Sequence, residues 1–115
     1  NTMKEIRAII QPFMSHKVFD ALRGVGDLPG LTMSRVVGWG EANVQGADQT
    51  FEEGGHTFAH KIMLDIVVPD ELVDVIVETI HRAAHTGNFG DGKIFVYDVA
   101  DALKIRTGDR GPDAL

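Results

Sequence analysis

At 115 residues, 43% apolar and 24% charged, the chain has the size and composition of one folded soluble domain with one core. A net charge of −6 argues against general nucleic-acid binding, which rewards a basic surface. No cysteine, no signal-peptide pattern and no apolar run of bilayer length occur, so the expectation is a cytoplasmic protein without disulfides or membrane insertion.

Asn1 and Thr2 stand before Met3, where the patterning begins. From Met3 to Ile10 the chain alternates, with Ile6, Ala8 and Ile10 on one face and Glu5 and Arg7 on the other, which predicts a strand. Pro12 ends it. Ser15 is placed to cap a helix whose apolar positions are Val18, Ala21, Leu22 and Val25. Gly24, Gly26 and the group Asp27-Leu28-Pro29-Gly30 close that helix and form a turn. Leu31 to Val37 reads as a second strand, running into Gly38-Trp39-Gly40.

From Glu41 to about His60 no period is sustained, and Gly, Asn, Gln, Asp and Glu dominate. Between clean patterns, an irregular stretch of that length marks a functional loop, and its composition suits one ordered by a partner. Lys61 to Val68 alternates again, with Ile62, Leu64, Ile66 and Val68 on one face. Pro69-Asp70-Glu71 looks like a helix start with Asp70 as its cap. The stripe Leu72, Val75, Ile76, Thr79, Ile80 and Ala83 predicts the buried side, with Gly87 as the stop. Ile94 to Val99 is a fourth strand, followed by a polar C-terminal segment over 100–115 that carries Ala102, Leu103 and Ile105.

This order predicts a single α+β domain over 1–115 with the split βαβ, ferredoxin-like arrangement. Two helices cover only one face of such a sheet. The other face also carries apolar residues, Ile9, Met63, Val67 and Phe95, which predicts a homo-oligomer.

Thr86-Gly87-Asn88-Phe89-Gly90-Asp91-Gly92-Lys93 is the stretch richest in chemistry. Glycines at this density bring bare N–H groups close to a ligand, and a lysine beside them suits a phosphate. Gly87-x-x-x-x-Gly92-Lys93 is close to a Walker A pattern but is not one. A P-loop runs from strand to helix and places Ser or Thr after the lysine, whereas this stretch runs from helix to strand and Ile94 follows. Taken alone, the spacing fits either a phosphate nest or a plain turn between helix and strand. No nucleophile–base pair stands out, so an enzyme is not expected.

Other segments resemble a known family. They are Met3-Lys4-x-Ile6-x-Ala8-Ile9-Ile10-x-Pro12-Phe13, Gly38-Trp39-Gly40, and Ile66-Val67-Val68-Pro69-Asp70-Glu71-Leu72-Val73. With them go Thr86-Gly87-x-x-Gly90-Asp91-Gly92-Lys93-Ile94-Phe95-Val96 and Ile105-Arg106-Thr107-Gly108-Asp109-Arg110-Gly111. Together they resemble the PII nitrogen-regulatory signalling proteins over nearly the whole chain. The resemblance implies a homotrimer that binds ATP or ADP in clefts between subunits. A long T-loop, here about 41–60, would carry the signal to a transporter or enzyme partner. By position, the adenine and ribose side would involve Ile9, Thr32, Gly38, Trp39, Gly40 and Val67. The phosphates would meet Gly90, Asp91, Gly92 and Lys93, with Arg106 and Lys104 reaching in from a neighbouring subunit. Lys104 stands where the family usually has arginine, keeping the charge but losing the fork.

The chain also departs from the family. After Gly40 the family usually continues with Arg-Gln, and here Glu41 and Ala42 follow. Alanine offers no oxygen to magnesium, and Glu41 adds negative charge where a polyphosphate or dicarboxylate would sit. Lys61 matches the family lysine that pairs with 2-oxoglutarate, but alone it does not rebuild that site, so weak or absent 2-oxoglutarate binding is expected. The family's modified tyrosine would fall near Gly54. The only tyrosine is Tyr97, within a strand, so uridylylation is not expected. The arginine that plugs ammonium channels would fall near Thr50. These departures point to a divergent PII-like branch.

Two alternatives stay open. His56 and His60, with Glu52 and Glu53 nearby, could hold a divalent metal, or could be solvated loop residues. A bicarbonate response would follow only from the divergent branch. His81 and His85 share a helix face near its end and read as solvated. Trp39 reads equally as core packing or as a surface for adenine.

Overall fold

Period-two patterning works through the pleat: β1 (Met3–Ile10) turns Ile6, Ala8 and Ile10 into the core and Glu5, Arg7 and Ile9 to the opposite face. The computed structural model describes residues 2–39 and 50–115. Beyond β1 come α1 (Ser15–Arg23), β2 (Thr32–Trp39), β3 (Thr50–Glu53), β4 (His56–Pro69), α2 (Val73–Ala84) and β5 (Gly92–Asp98). The strands form one antiparallel sheet in the order β2-β4-β1-β5, and β3 pairs with the outer part of β4. This is the expected ferredoxin-like α+β fold.

Both helices pack on one face. Val18 and Leu22 of α1, and Ile76, Ile80 and Ala84 of α2, meet Ile6, Ala8, Ile10, Ile62, Leu64, Ile66 and Val68 in a single cluster. The predicted stripe of α2 is rotated slightly. Val75 is exposed and Ala84 is buried, so the helix lies on the sheet through its 76–80–84 row.

Both predicted helix caps are corrected. A short 3₁₀ turn, Pro12–Met14, precedes α1, and the Ser15 hydroxyl donates to the Pro12 carbonyl at 2.8 Å instead of capping a free N–H. A second 3₁₀ turn, Asp70–Leu72, precedes α2, and the Asp70 carboxylate takes the Lys4 ammonium at 2.9 Å. The far end of α2 also differs. It stops at Ala84 because His85 turns extended (ψ 126°), three residues before Gly87.

The largest correction concerns the stretch read as loop up to His60. Residues 50–60 are a β-hairpin, and β4 begins at His56, five residues before the predicted strand start. Gly54 and Gly55 have φ of 59° and 80°, the pair of left-handed residues that a two-residue hairpin turn requires. Glu53 pairs directly with His56 across it. The rings of Phe51 and Phe58 stack at 5.9 Å over the next rungs. Residues 41–49 of the expected T-loop lie outside the described residues.

The helix-free face is as the sequence suggests. Register places Ile9 beside Met63, Glu5 beside Val67 and Arg7 beside Phe95, all on that side. Phe95 and Tyr97 are exposed there. Its centre is polar: Arg7 pairs with Asp65 at 2.8 Å, approaches Glu5 at 3.6 Å and lies 5.7 Å from the centre of the Tyr97 ring.

The C-terminal segment is a closed arm. Leu103 bridges Arg110, and the Arg110 guanidinium donates twice to one Asp101 oxygen, at 3.0 and 2.7 Å. Thr107 and Asp109 tie the tip, where Ile105 is 95% exposed beside Arg106.

A glycine-rich turn as the candidate functional site

Residues 86–91 cross from the end of α2 to the start of β5, and Asp91 folds them. Its carboxylate accepts the N–H groups of Thr86 and Gly87 at 2.8 and 2.9 Å and the hydroxyl of Thr86. The Thr86 hydroxyl oxygen in turn accepts from the Asn88 N–H at 3.1 Å. Such side-chain-to-backbone bonds offer the chain a turn in place of further helix. Gly87, Gly90 and Gly92 supply the positive φ that it needs, at 88°, 95° and 103°.

Asp91 therefore faces inward and orders its own turn. The three N–H groups at positions 89–91 donate no hydrogen bond among the described residues. Successive unpaired N–H groups in a turn with left-handed glycines are the makings of an anion nest. From β4, the Lys61 ammonium donates to the Gly90 carbonyl at 2.7 Å. Lys93, the second residue of β5, lies opposite Ile9 and makes no ion pair among the described residues. A pocket of about 250 Å³ lies behind the turn, lined in part by Ile9, Val77, His81, His85, Asp91 and Lys93.

Two groups here are electrostatically shifted, Asp91 and Lys61. Burial alone would push the Asp91 carboxyl up. The bonds from the Thr86 hydroxyl and the Thr86 and Gly87 N–H groups, with His85 3.8 Å away, outweigh it and hold the group below its ordinary value. Burial also pulls the Lys61 ammonium down, opposed by attraction to Asp91.

Since the folded-state value of Asp91 is depressed, its contribution to stability is present above the ordinary carboxyl value of 3.8 and is lost as pH falls through the lower folded value. Amide shifts of Thr86 and Gly87 followed by NMR are expected to titrate with a midpoint below 3.8. A midpoint at or above it would contradict the inward-facing carboxylate.

Ile9, Thr32, Gly38, Lys61, Val67 and Lys93 all project from the helix-free face, as their register requires. Gly90, Asp91 and Gly92 adjoin its edge. Trp39 does not join them. Consecutive strand residues alternate, so its indole lies on the helix side, 74% exposed and edge-on to His56 at 5.1 Å. Gly40 lies outside the described residues. Lys104 and Arg106 sit on the C-terminal arm and make no side-chain bond to the turn within the chain.

The metal pairing of His56 with His60 is corrected as well. Both are on a strand, four residues apart, which separates them by about 13 Å along it, too far to share one ion. Among the described residues no group of three or more His, Asp or Glu side chains could hold a metal. Sequence reasoning missed the Lys61–Gly90 bond. It spans 29 positions, and no local pattern announces it.

The sheet, its single layer of helices and the exposed turn define a ferredoxin-like protein with a glycine-rich turn at the head of its last strand. Comparison with known proteins narrows that class. The family model "Nitrogen regulatory protein P-II" matches residues 3–109. The nitrogen regulatory protein P-II of Rhodospirillum rubrum is 41% identical, with 98% of this chain and all of the relative aligned. Nitrogen regulatory protein P-II 1 of Escherichia coli K12 is 43% identical over the same shares. Among solved structures, the B. subtilis GlnK-ATP complex superposes with a TM-score of 0.79 at 32% identity, covering 99% of this chain and 98% of that one. Arabidopsis thaliana PII bound to citrate gives 0.79 at 35% identity, covering 100% and 94%. The chain belongs to the P-II nitrogen regulatory family, and it is a signal-transducing regulator, not an enzyme. Among the described residues no helix is long and apolar enough to cross a membrane.

Proposed function

We propose that this chain is a cytoplasmic homotrimeric sensor that binds ATP or ADP in clefts between protomers. The observation that carries the reading is the row of N–H groups at 89–91 that find no partner among the described residues, together with Lys93, which makes no ion pair among them. In this reading the polyphosphate rests on Gly90, Asp91, Gly92 and Lys93. Ile9, Thr32, Gly38 and Val67 shape the adenosine side with Gly40. Arg106 and Lys104 arrive on the arm of a neighbour, which suits two cations that form no ion pair among the described residues. Trp39, on the other face, is assigned to the hairpin and not to the base. The Arg7-Asp65 centre and the exposed Phe95 give the helix-free face both polar and apolar groups for protomer contact. The relative crystallised as a GlnK-ATP complex supports the choice of nucleotide.

The output runs through residues 41–60 to a transporter or enzyme, by differential affinity for two states of that segment and without hydrolysis. 2-Oxoglutarate and magnesium play little part, because Ala42 brings no oxygen and Glu41 is repulsive to a dicarboxylate.

Calorimetry with ATP, ADP and AMP, with and without magnesium, tests this. Saturable binding of ATP and ADP is expected at one site per protomer of a trimer, unaltered by 2-oxoglutarate. No binding of any of the three at millimolar concentration, or a monomer by analytical ultracentrifugation, would refute it.

A further inference from the structure

We infer that Lys61 is a positioning residue: its bond to the Gly90 carbonyl fastens the glycine-rich turn to β4 at the point where that strand exchanges β1 for β3 as its neighbour on one side. Lys61 occupies a gap between two ladders. β4 pairs with β1 from Pro69 down to Ile62, and with β3 from Ala59 outward. Between these two partners that side of β4 has no strand partner among the described residues, and there the 2.7 Å bond to Gly90 joins it to the turn. On the other side Lys61 keeps its rung with Val36 of β2. The β2 ladder continues across this gap, so a shift of β4 beside it is passed by Lys61 to the carbonyl of the glycine whose N–H belongs to the nest.

The surroundings favour a strap over a spare surface charge. The ammonium is half-buried and has no direct carboxylate partner among the described residues, an arrangement that is costly unless its hydrogen bond is needed. Asp91 fastens the other end of the turn to Thr86 and Gly87, so the two residues hold it from opposite sides. The same ammonium is thereby engaged within its own chain and is not a ready contact for a second effector. The bond thus joins the turn to β4, whose backbone runs on through the hairpin to Gly54-Gly55.

This inference rests on the nucleotide reading only for its consequence, and the test separates the two. In nucleotide-free protein, Lys61→Met keeps the stem and removes the donor. Hydrogen exchange over the peptide 86–92 is expected to quicken about tenfold, the change that one lost charged hydrogen bond gives. Lys61→Arg, which can still reach and donate, is expected to restore most of the protection. ATP binding is expected to weaken about tenfold in the Met variant. The fluorescence of Trp39, the single tryptophan, is expected to respond to saturating ATP in the parent protein but not in the Met variant. If Lys61→Met does not fold, Lys61→Gln, shorter in reach, replaces it with the same expectations. Unchanged exchange over 86–92 would overturn the strap whether or not ATP binds. Quickened exchange with an undiminished Trp39 response would overturn the coupling.

Discussion

Gly92→Ala is expected to lose more than about 4 kcal/mol of stability, enough to leave a domain of this size marginal or unfolded. Two costs combine. At φ 103° an alanine is strained by about 1–3 kcal/mol. Its Cβ would also lie 2.8 Å from the Ile9 carbonyl carbon and closer still to the oxygen. That carbonyl belongs to the backbone of β1 and cannot swing away as a side chain would. Relief requires β1 and β5 to part at the Ile10–Gly92 pair, beside the nest. Gly108→Ala is the control: its φ is 79° but nothing lies near its missing Cβ, so only the smaller conformational cost of about 1–2 kcal/mol applies. Urea denaturation of the two variants measures the difference. Equal losses would show that the approach of Gly92 to β1 is unimportant.

Asp91→Ala is expected to cost about 2–4 kcal/mol, since it removes the acceptor of three hydrogen bonds, two of them from backbone N–H groups. The figure is at the lower end for a charged acceptor because the carboxylate is about a quarter exposed and water replaces part of the loss. The more telling readout is ATP affinity. Simple charge counting predicts that removing an acid beside an anion site strengthens binding. The geometry predicts the opposite sign, because Asp91 faces its own turn and prearranges the N–H groups. ATP binding is expected to weaken by about tenfold or more. Asp91→Asn, which keeps one acceptor oxygen, is expected to fall between. A gain in ATP affinity for the alanine variant would overturn the assignment.

Much of this fold was legible in the sequence because its core obeys simple periods. The alternation of Met3–Ile10 and Lys61–Val68 and the helical spacing of Ile76 and Ile80 are direct consequences of pleat and pitch. The hairpin was legible but overlooked. Gly54-Gly55 between two short runs is a strong turn signal, and the polar residues around Phe51 and Phe58 hid the alternation. The face of Trp39 was also available, since an indole next to Gly38 on a strand must point the other way. The inward pose of Asp91 is a local contact that Thr86, five residues earlier, could have suggested. The reach of Lys61 to Gly90 could not have been read, because it depends on which strands become neighbours. The 3₁₀ turns that displaced both caps are likewise set by how the chain enters the helix layer.

The clasp between Asp101 and Arg110 has a kinetic meaning for assembly. A tail already closed upon itself arrives as a shaped tooth, with Ile105 and Arg106 held at its crown before any neighbour is met. In the proposed trimer, subunits that engaged through such teeth would lose little chain freedom as they mesh, so encounter and not refolding would set their pace.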